Sequence, residues 1–389
     1  MTGLTGARPA GAVESAAPRS VVIIGTGLIG TSIALALREG GTEVWLSDTD
    51  QRSARLAAGL GAGRVLERPG GAGLPGGAGL PGGPADVAVL AVPPGAVGRV
   101  LAAAQRGGLA RCYTDVASVK ELPLADARRL GCELATFVPG HPMSGRERSG
   151  PAAARAELFT GQPWVICPAE ETAPDCVAAV TGLARACGAQ PALMPAAEHD
   201  RFVALVSHVP HLVAAAMAAQ CASAPSDALA LAGPGLRDVT RIASGDAGLW
   251  TEILTANAAQ VREILLAVAA QLAEGSEVLA AVAAGDDDAV KRLTALLEAG
   301  REGAASIPGK QGGPAPDYAV VQVVIGDRPG ELARLFAAAG AAGVNIEDVR
   351  IEHSPGLPAG VAELSVRPEA AEPLADALTA GGWPVASPA

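Results

Sequence analysis

The stretch Val21-Val22-Ile23-Ile24-Gly25-Thr26-Gly27-Leu28-Ile29-Gly30 decides the fold of the first part of this 389-residue chain. Its first four residues are apolar without polar alternation, which is typical of a parallel strand buried on both faces. Three glycines in the spacing G-x-G-x-x-G then open an Ala/Leu-rich helix that extends to about Glu39. A second strand, 44–47, ends at Asp48, 18 residues after Gly30. A glycine loop in this context predicts a dinucleotide site.

Each glycine of the loop has a separate predicted role. Gly25 permits a tight turn, Gly27 lets a pyrophosphate approach the backbone, and Gly30 lets the helix pack against the sheet. The helix N-terminus offers N–H groups and the positive end of its dipole to the phosphates. Asp48 would accept hydrogen bonds from an adenosine ribose and repel a 2′-phosphate, which favours NAD, although the nearby Arg52 leaves NADP open.

A further apolar run ends in Val92-Pro93-Pro94, which we expect to line the nicotinamide side of the crevice, although prolines there equally fit a plain strand terminator. The full set of predicted cofactor contacts is Gly25, Thr26, Gly27, Leu28, Ile29, Gly30, Asp48, Val92, Pro93 and Asp115.

The amino-acid composition restricts which binding partners and which cellular compartment are expected. A net charge of -11 argues against nucleic acid and against an anionic membrane surface. The six cysteines contain no C-x-x-C pair and lie in apolar contexts, so we predict that all are reduced in a cytoplasmic protein. Residues 1–19 have no continuous apolar run and are predicted to be a disordered leader. The apolar stretch 202–219 contains polar residues and two histidines, so no membrane span is expected.

The order of strands and helices predicts several domains. Strand-like runs at 87–90, 112–114, 135–138 and 164–167 alternate with helices, which predicts a doubly wound α/β domain of the Rossmann type over 20–195. A Gly/Pro-rich surface loop is expected at 68–84. Long Ala/Leu-rich helices predict an all-α domain over 196–305, followed by a linker over 306–317. The remainder, 318–389, reads β-α-β-β-α-β, a ferredoxin-like module.

The stretch 138–147, Val-Pro-Gly-His-Pro-Met-Ser-Gly-Arg-Glu, carries one of only five histidines, His141. It lies where a predicted strand runs into a Pro/Gly turn. Oxidation of an alcohol needs a base for the hydroxyl proton, and histidine is the side chain whose ordinary pKa lies near neutrality. His141 is therefore the candidate base.

Three further segments place polar residues in apolar surroundings, and each has a structural alternative. Ser118 could be a helix N-cap. His208 and His211 could be hydrogen-bonded core histidines, and Arg241 a surface residue. No metal site is predicted, because two histidines three residues apart with a proline between them lack a third ligand.

Taken together, these segments resemble the prephenate and arogenate dehydrogenases of tyrosine biosynthesis. The matching motifs lie in the family's order across 20–305: Gly25–Gly30, 115–120, 141–145 with Glu147, 149–150, His199-Asp200, 207–211 and 240–246. Residues 318–389, with Asp327-Arg328-Pro329-Gly330-Glu331-Leu332 and Val344-Asn345-Ile346, resemble an ACT domain, a module that senses amino acids.

The resemblance implies NAD-dependent oxidative decarboxylation of prephenate to 4-hydroxyphenylpyruvate. His141 would take the hydroxyl proton, Ser118 would hydrogen-bond the imidazole and the substrate hydroxyl, and Arg241 would pair with a substrate carboxylate through a bidentate fork. The other predicted substrate contacts, which would face the site or shape its entrance, are Arg146, Glu147, Asp200, Ser207, His208, His211 and Trp250.

The choice between prephenate and arogenate depends on charge. Arogenate carries an ammonium group where prephenate carries a keto group, so a guanidinium at Arg146 favours prephenate. Arogenate remains the alternative substrate.

The resemblance also implies a homodimer through the helical domain and binding of an amino acid, tyrosine first, by the ACT domain. The predicted effector contacts are Asp327, Pro329, Gly330, Glu331, Leu332, Asn345 and Ile346. An ACT pair that only strengthens the dimer is the alternative.

Two rival functions remain. The β-hydroxyacid dehydrogenases use a catalytic lysine in their helical domain, where this chain has only Lys291. A non-catalytic NAD- and amino-acid-sensing regulator would not need His141, Ser118 and Arg241 together.

Overall fold

The computed structural model describes residues 16–66, 80–145, 150–308, 318–353 and 359–386. Most of the predicted leader, much of the Gly/Pro loop and of the linker, and the predicted substrate residues Arg146 and Glu147 lie outside these ranges. The chain forms two compact units, Met1–Ala269 and Ala270–Ala389. The division into three domains at 195 and 305 therefore stays a prediction.

A five-stranded parallel sheet is the centre of the first unit. Its strands are β1 (Ser20–Ile24), β2 (Glu43–Ser47), β3 (Arg64–Val65), β4 (Ala85–Leu90) and β5 (Ala110–Asp115). Their order is β3-β2-β1-β4-β5. The direction of winding reverses between β1 and β4, and ligands of doubly wound sheets bind beyond the carboxyl ends of the strands at such a switch point.

Helices cover both faces of this sheet. They are α1 (Leu28–Glu39), α2 (Gln51–Gly59), α3 (Val97–Arg106), α4 (Glu121–Arg129) and α5 (Pro174–Ala186). Val21 and Ile23 of β1 belong to the core shared with α1 and α5, whereas Val22 and Ile24 belong to the core shared with α3 and α4. Burial on both faces explains the absence of polar alternation in β1.

A second, smaller sheet follows the first, and here one of the predicted strands is wrong. Residues 135–138 are not a strand: a 3₁₀ turn covers Leu134–Thr136, and Phe137 makes only an isolated bridge to Tyr113. Pro139 has no N–H with which to continue a ladder. The chain pairs one step later, as β6 (Gly140–Pro142), which is antiparallel to β7 (Pro163–Ile166), and β7 is parallel to β8 (Gln190–Leu193).

Residues 196–305 are helical, as predicted. Its elements are α6 (Ala196–Val203), a π-helical turn (Ala204–His208), α7 (Val209–Cys221), α8 (Ser226–Ala230), α9 (Pro234–Thr240), a 3₁₀ turn (Arg241–Ser244), α10 (Ala247–Ala256), α11 (Ala258–Ala283) and, in the second unit, α12 (Asp287–Ala305).

Two helical stretches have the length and hydropathy of membrane spans. Ala196–Cys221 has a mean hydropathy of 1.7 and Ala258–Ala283 one of 1.5, and 33% and 6% of the respective windows are buried. Two helices of sufficient length and hydropathy are weak evidence for a membrane, because buried helices of soluble proteins also meet these criteria, so the absence of a membrane span stays a prediction.

The second unit contains a three-stranded antiparallel sheet with two helices. Its elements are β9 (Ala319–Gly326), α13 (Glu331–Ala341), β10 (Asp348–His353), β11 (Ala359–Val366) and α14 (Pro368–Ala380), with strand order β10-β11-β9. The predicted last strand is reduced to a bridge between Val385 and Val323. The predicted strand at 344–352 begins only at Asp348, because Val344 and Ile346 pack on the core before the backbone joins the ladder.

The prediction that all six cysteines are reduced is wrong. Cys112 of β5 and Cys176 of α5 form a disulfide, with their Cα atoms 5.4 Å apart. Cys132, Cys167, Cys187 and Cys221 are free. The bonded pair is separated by 64 residues and meets only because α5 packs against β5, which no spacing motif in the sequence reveals.

Candidate active site

The backbone of the glycine loop packs directly against the backbone that follows β4, with no space for a side chain between them. Gly25 has a φ of +102°, and a Cβ at this position would lie 2.1 Å from the carbonyl oxygen of Ala91. A Cβ on Gly30 would lie 2.0 Å from the Gly25 oxygen. Around Gly27, in contrast, a Cβ would meet no atom within 4 Å. The loop is therefore closed toward the sheet and open at the start of α1, as a pyrophosphate site requires.

Asp48 is tied to this loop. Its Oδ2 accepts hydrogen bonds from the backbone N–H of Thr26 at 2.6 Å and from the Thr26 hydroxyl at 2.7 Å, and its Oδ1 accepts one from Asp50 N at 2.8 Å. The Thr49 hydroxyl also lies 3.4 Å from Oδ1, so several donors surround this carboxylate at the end of β2. The negative charge beside the loop fits NAD better than a 2′-phosphate.

Leu28 and Ile29, with Gly30, form the first turn of α1. Val92 and Pro93 follow β4 at the switch point, and the Cγ1 of Val92 would lie 3.4 Å from a Cβ on Gly25. Nine of the ten predicted cofactor residues thus lie along one loop and the strand ends beside it.

The tenth residue, Asp115, does not have the predicted role. Its side chain is fully buried and forms an ion pair with Lys120, which is equally buried. Asp115 also accepts hydrogen bonds from the backbone N–H groups of Ala117 at 3.0 Å and Gly140 at 3.2 Å. Lys120 Nζ donates to the Gly140 oxygen at 2.6 Å. This enclosed carboxylate therefore holds the residue before His141 and does not face a cofactor.

His141 is the central residue of β6 and pairs with Val165. Its position relative to the glycine loop follows from the strand register: Ile24, Leu90 and Asp115 are partners across β1, β4 and β5. The anchor of the His141 strand therefore lies two strand spacings, roughly 10 Å, from β1. The base and the dinucleotide loop thus both lie beside the carboxyl ends of the five-stranded sheet, although β6 belongs to the smaller sheet.

The imidazole of His141 is in contact with a second histidine. His141 Nδ1 lies 2.9 Å from His199 Nε2, and His199 Nδ1 lies 2.7 Å from Asp200 Oδ1. Burial, followed by the charges of His199, Lys120 and His208, lowers the pKa of His141 well below its ordinary value. His141 is therefore neutral near pH 7, as a general base must be.

Two predicted residues have other surroundings than expected. Among the described residues no hydrogen bond joins Ser118 to His141, and the Nδ1 of His141 meets His199 instead. Asp200 is not at an entrance: it is 1% exposed and accepts hydrogen bonds from the backbone N–H groups of Lys120 at 2.8 Å and Glu121 at 2.9 Å. It therefore caps α4 from a distant part of the chain.

Helices α7 and α10 contribute an aromatic group. The rings of His211 and Trp250 are stacked, with centroids 3.6 Å apart and an interplanar angle of 12°. His208 is buried, and its Nδ1 lies 3.1 Å from Asn257 Nδ2. Burial lowers the pKa of His208 to about 4. Gly245 leaves the space for this stack, because a Cβ there would lie 2.5 Å from Trp250 Nε1.

A cavity of about 480 Å³ opens beside the stacked rings, a volume within the usual range for small-molecule sites. It is lined by Gly145, Val206, Ser207, Pro210, His211, Ile242, Gly245, Asp246, Leu249, Trp250 and Ile253. Three predicted substrate residues, Ser207, His211 and Trp250, are thus brought together. His141 and Arg241 do not line it, but Gly145 and Ile242 connect their segments to its wall.

Arg241 is exposed and begins the 3₁₀ turn that carries Ile242. Its role in binding a carboxylate stays a prediction. The sequence reasoning missed the roles of Lys120, His199 and Asn257. Two signals were available: Lys120 is one of only three lysines and follows a strand end, and His199-Asp200 precedes an apolar helix.

Family models of two adjoining domains match this chain. Residues 33–193 match the nucleotide-binding domain of prephenate dehydrogenase, and residues 195–298 match its dimerization domain. The first match begins within α1, after the glycine loop, and extends through β2 to β8, and the second includes the helices that carry the aromatic stack.

Individual relatives agree with these models. A probable prephenate dehydrogenase, NovF of Streptomyces niveus, is 40% identical over 95% of this chain and 100% of its own length. The prephenate dehydrogenase of Bacillus subtilis is 27% identical over 85% of this chain and 88% of its own length. The crystal structure of an A. aeolicus prephenate dehydrogenase in complex with hydroxyphenyl propionate and NAD+ superimposes with a TM-score of 0.61 at 24% identity, over 73% of this chain and 98% of that chain, which shows the same fold. This chain therefore belongs to the prephenate dehydrogenase family.

Proposed function

We propose that this protein catalyses the oxidative decarboxylation of prephenate to 4-hydroxyphenylpyruvate with NAD as the oxidant. The observation that carries the proposal is a neutral, partly buried His141 held beside the carboxyl ends of the sheet that bears the glycine loop. The substrate is taken from the 40% identical relative, whose coverage of both chains is nearly complete.

The residues of this chain divide the chemistry between them. When bound, NAD supplies the acceptor for the hydride that leaves the ring carbon. His141 accepts the hydroxyl proton at Nε2, because its Nδ1 is engaged by His199. Loss of the ring carboxylate as CO2 leaves its electron pair in the ring, which becomes aromatic, and His141 returns the proton to the ring oxygen. The protein has to orient the substrate and handle one proton.

NAD binding is supported by the loop geometry and by Asp48. The open space at Gly27 and the uncapped start of α1 suit a pyrophosphate, and the Asp48 carboxylate beside Thr26 disfavours the extra phosphate of NADP. The A. aeolicus relative forms a complex with NAD+, which is consistent with this assignment.

A homodimer through the helical region is the second part of the proposal. The match to a dimerization domain over 195–298 supports it, and so do large apolar side chains exposed in this region, among them Leu205, Val206, Leu231, Leu266 and Leu272. A second copy is the occupant that would cover them. Sedimentation of the purified chain should give a mass of twice 38.5 kDa or a multiple of it.

Regulation by tyrosine through 318–389 is the third part. A cavity of about 110 Å³ is lined by Ile325, Gly326, Asp327, Arg328, Glu331, Leu332, Ile351 and Gly360. This volume is below the roughly 300 Å³ of a typical ligand site, so we propose that a second copy completes it. Of the predicted effector residues, Pro329, Gly330, Asn345 and Ile346 do not line this cavity. Tyrosine should slow the full-length enzyme. A rate and a melting temperature that are insensitive to tyrosine, phenylalanine and tryptophan alike would leave only the dimer-strengthening alternative.

The test of the main proposal is an assay with purified protein. Prephenate and NAD should give NADH and 4-hydroxyphenylpyruvate in equal amounts. Arogenate in place of prephenate, and NADP in place of NAD, should each lower kcat/KM. Equal or better turnover of arogenate would move the assignment to arogenate dehydrogenase, and no turnover of either compound would refute it.

A further inference from the structure

Three side chains form a continuous hydrogen-bonded row that ends at the reacting base. They come from two elements separated by about sixty residues: His141 from β6, and His199 and Asp200 from α6. The joining distances are 2.9 Å between the two imidazoles and 2.7 Å between His199 and the carboxylate. The rings meet edge to face at 76°, so a ring nitrogen of one can point at a ring nitrogen of the other.

The far end of this row is anchored. Asp200 Oδ1 accepts the backbone N–H of Lys120, and Oδ2 accepts that of Glu121. The Asp200 carbonyl oxygen accepts a bond from Asn257 Nδ2 at 2.8 Å. His199 and Asp200 are 0% and 1% exposed. With both oxygens and the backbone held, Asp200 has a fixed direction toward His199.

The anchored carboxylate dictates where the protons lie. An ionised carboxylate only accepts hydrogen bonds, so His199 Nδ1 carries the proton that faces Asp200. In a neutral ring the other nitrogen is then an acceptor, so His199 Nε2 receives a hydrogen bond from His141 Nδ1–H. This leaves the lone pair of His141 on Nε2. A doubly protonated His199 would reverse the last step and leave a proton on His141 Nε2.

We infer that His199 and Asp200 are a positioning pair that keeps His141 in the tautomer with a free lone pair on Nε2. The inference rests on the proposed function, because that reaction requires His141 to accept a proton. As the hydroxyl proton arrives at Nε2, His141 becomes positively charged and the row toward Asp200 stabilises this charge. When CO2 has left, the same proton goes to the ring oxygen, so the row ends the cycle unchanged.

The surroundings of His141 explain the need for such a row. Lys120 and His208 also act on it electrostatically, and Lys120 is paired with Asp115. The Asp200 carboxylate behind His199 offsets this unfavourable electrostatic effect when His141 becomes an imidazolium. The same arrangement of acid, imidazole and reacting group holds a catalytic base in the correct tautomer in other enzymes.

The first readout is spectroscopic. The chain has only five histidines, so nitrogen-15 labelling of histidine gives few signals, and the His141→Asn variant assigns those of His141. In the substrate-free wild-type protein with NAD, His141 should carry its proton on Nδ1. A proton on Nε2 would overturn the inference.

Two substitutions of His199 form a matched pair. Glutamine keeps an oxygen that can accept from His141 Nδ1–H, whereas leucine fills similar space without an acceptor. His199→Gln should keep the Nδ1–H tautomer and most of the activity. His199→Leu should lose this tautomer preference and about 10- to 100-fold in kcat, with KM for NAD unchanged. Equal losses in both variants with an unchanged tautomer would show a merely structural role and would overturn the inference.

The wild-type measurements separate this inference from the proposed function. If wild-type protein does not oxidise prephenate, the proposed function fails, while the tautomer spectrum still reports the state of His141. If wild-type protein is active and His141 carries its proton on Nε2, the proposed function stands and the positioning role is wrong. Should His199→Leu not fold, the wild-type spectrum and His199→Gln still decide the question.

Discussion

The cofactor half and the proton half of the site are built in different ways. The cofactor half comes from one continuous stretch, 25–30, together with the strand ends beside it, and depends on backbone shape at Gly25 and Gly30. The proton half is assembled through contacts between residues that are 20 to 80 positions apart, such as Lys120 with Gly140 and with Asp200. A contiguous loop is sensitive to added atoms, whereas a dispersed network is sensitive to the loss of any one partner.

The buried ion pair gives the largest expected effect on stability. Lys120→Met leaves the Asp115 carboxylate enclosed without its cation and should lower the free energy of unfolding by about 3–5 kcal/mol. Lys291→Met is the control, because that lysine is exposed and pairs with the equally exposed Asp288. Urea unfolding of both variants measures the difference. Equal midpoints for the two would show that the Lys120 network is not what holds the His141 strand.

In the glycine loop, an added methyl group should be destabilising or should obstruct NAD, depending on the position. Gly25→Ala places a Cβ 2.1 Å from the Ala91 oxygen at a φ of +102°, and backbone strain of this kind costs about 1–3 kcal/mol. Gly27→Ala is the matched control: it has room for the methyl group in the free protein but obstructs the pyrophosphate. Thermal unfolding without NAD should therefore change only in Gly25→Ala, and NAD affinity should fall in both. If Gly27→Ala is stable and binds NAD normally, the phosphates of NAD do not bind at this loop.

Cofactor choice is a smaller effect within the same half. Asp48→Asn keeps an oxygen for the Thr26 N–H but removes the charge that repels a 2′-phosphate. The ratio of kcat/KM for NAD over NADP should fall by about tenfold, equivalent to about 1.4 kcal/mol. A wild-type preference for NADP would contradict the role given to Asp48.

The last expected effect is gradual: stability depends on pH through a histidine of the proton half. Burial lowers the pKa of His208 to about 4, whereas an unfolded histidine titrates near 6.5. Between these values the unfolded state binds more protons, so stability is full above pH 6.5 and declines as pH falls toward 4. His208→Gln should reduce this slope by at most about 1.4 kcal/mol per pH unit. An unchanged slope would mean that His208 is not titrating there.

The same contrast explains what the sequence could predict. The strand, the three glycines and Asp48 are neighbours along the chain, so their spacing alone indicated the loop. His141 was identified by residue type and context, but its partner His199 is 58 positions away and Asp200 binds a backbone 80 positions away. No local pattern encodes such contacts, and Asp115 and Asp200 were accordingly assigned to cofactor and substrate instead of to the interior.

Errors in the strands have a related cause. Phe137 and Val138 are apolar because they belong to two buried cores, and not because they form a ladder. Cys112 and Cys176 were taken as separate core residues for the same reason. Burial was predicted correctly in these cases, whereas the partner that each residue meets depends on packing of the whole unit.

The most direct test of the account is a single pair of measurements on His141→Asn. The central claim is that one half of the site holds NAD and the other half moves the proton. NAD affinity by calorimetry should match that of the wild type, while kcat with prephenate should fall by about 10²- to 10⁴-fold, the usual contribution of a general base. A variant that keeps more than about a third of the wild-type kcat at neutral pH, where general base catalysis should be lost, would contradict the claim, and so would one that no longer binds NAD.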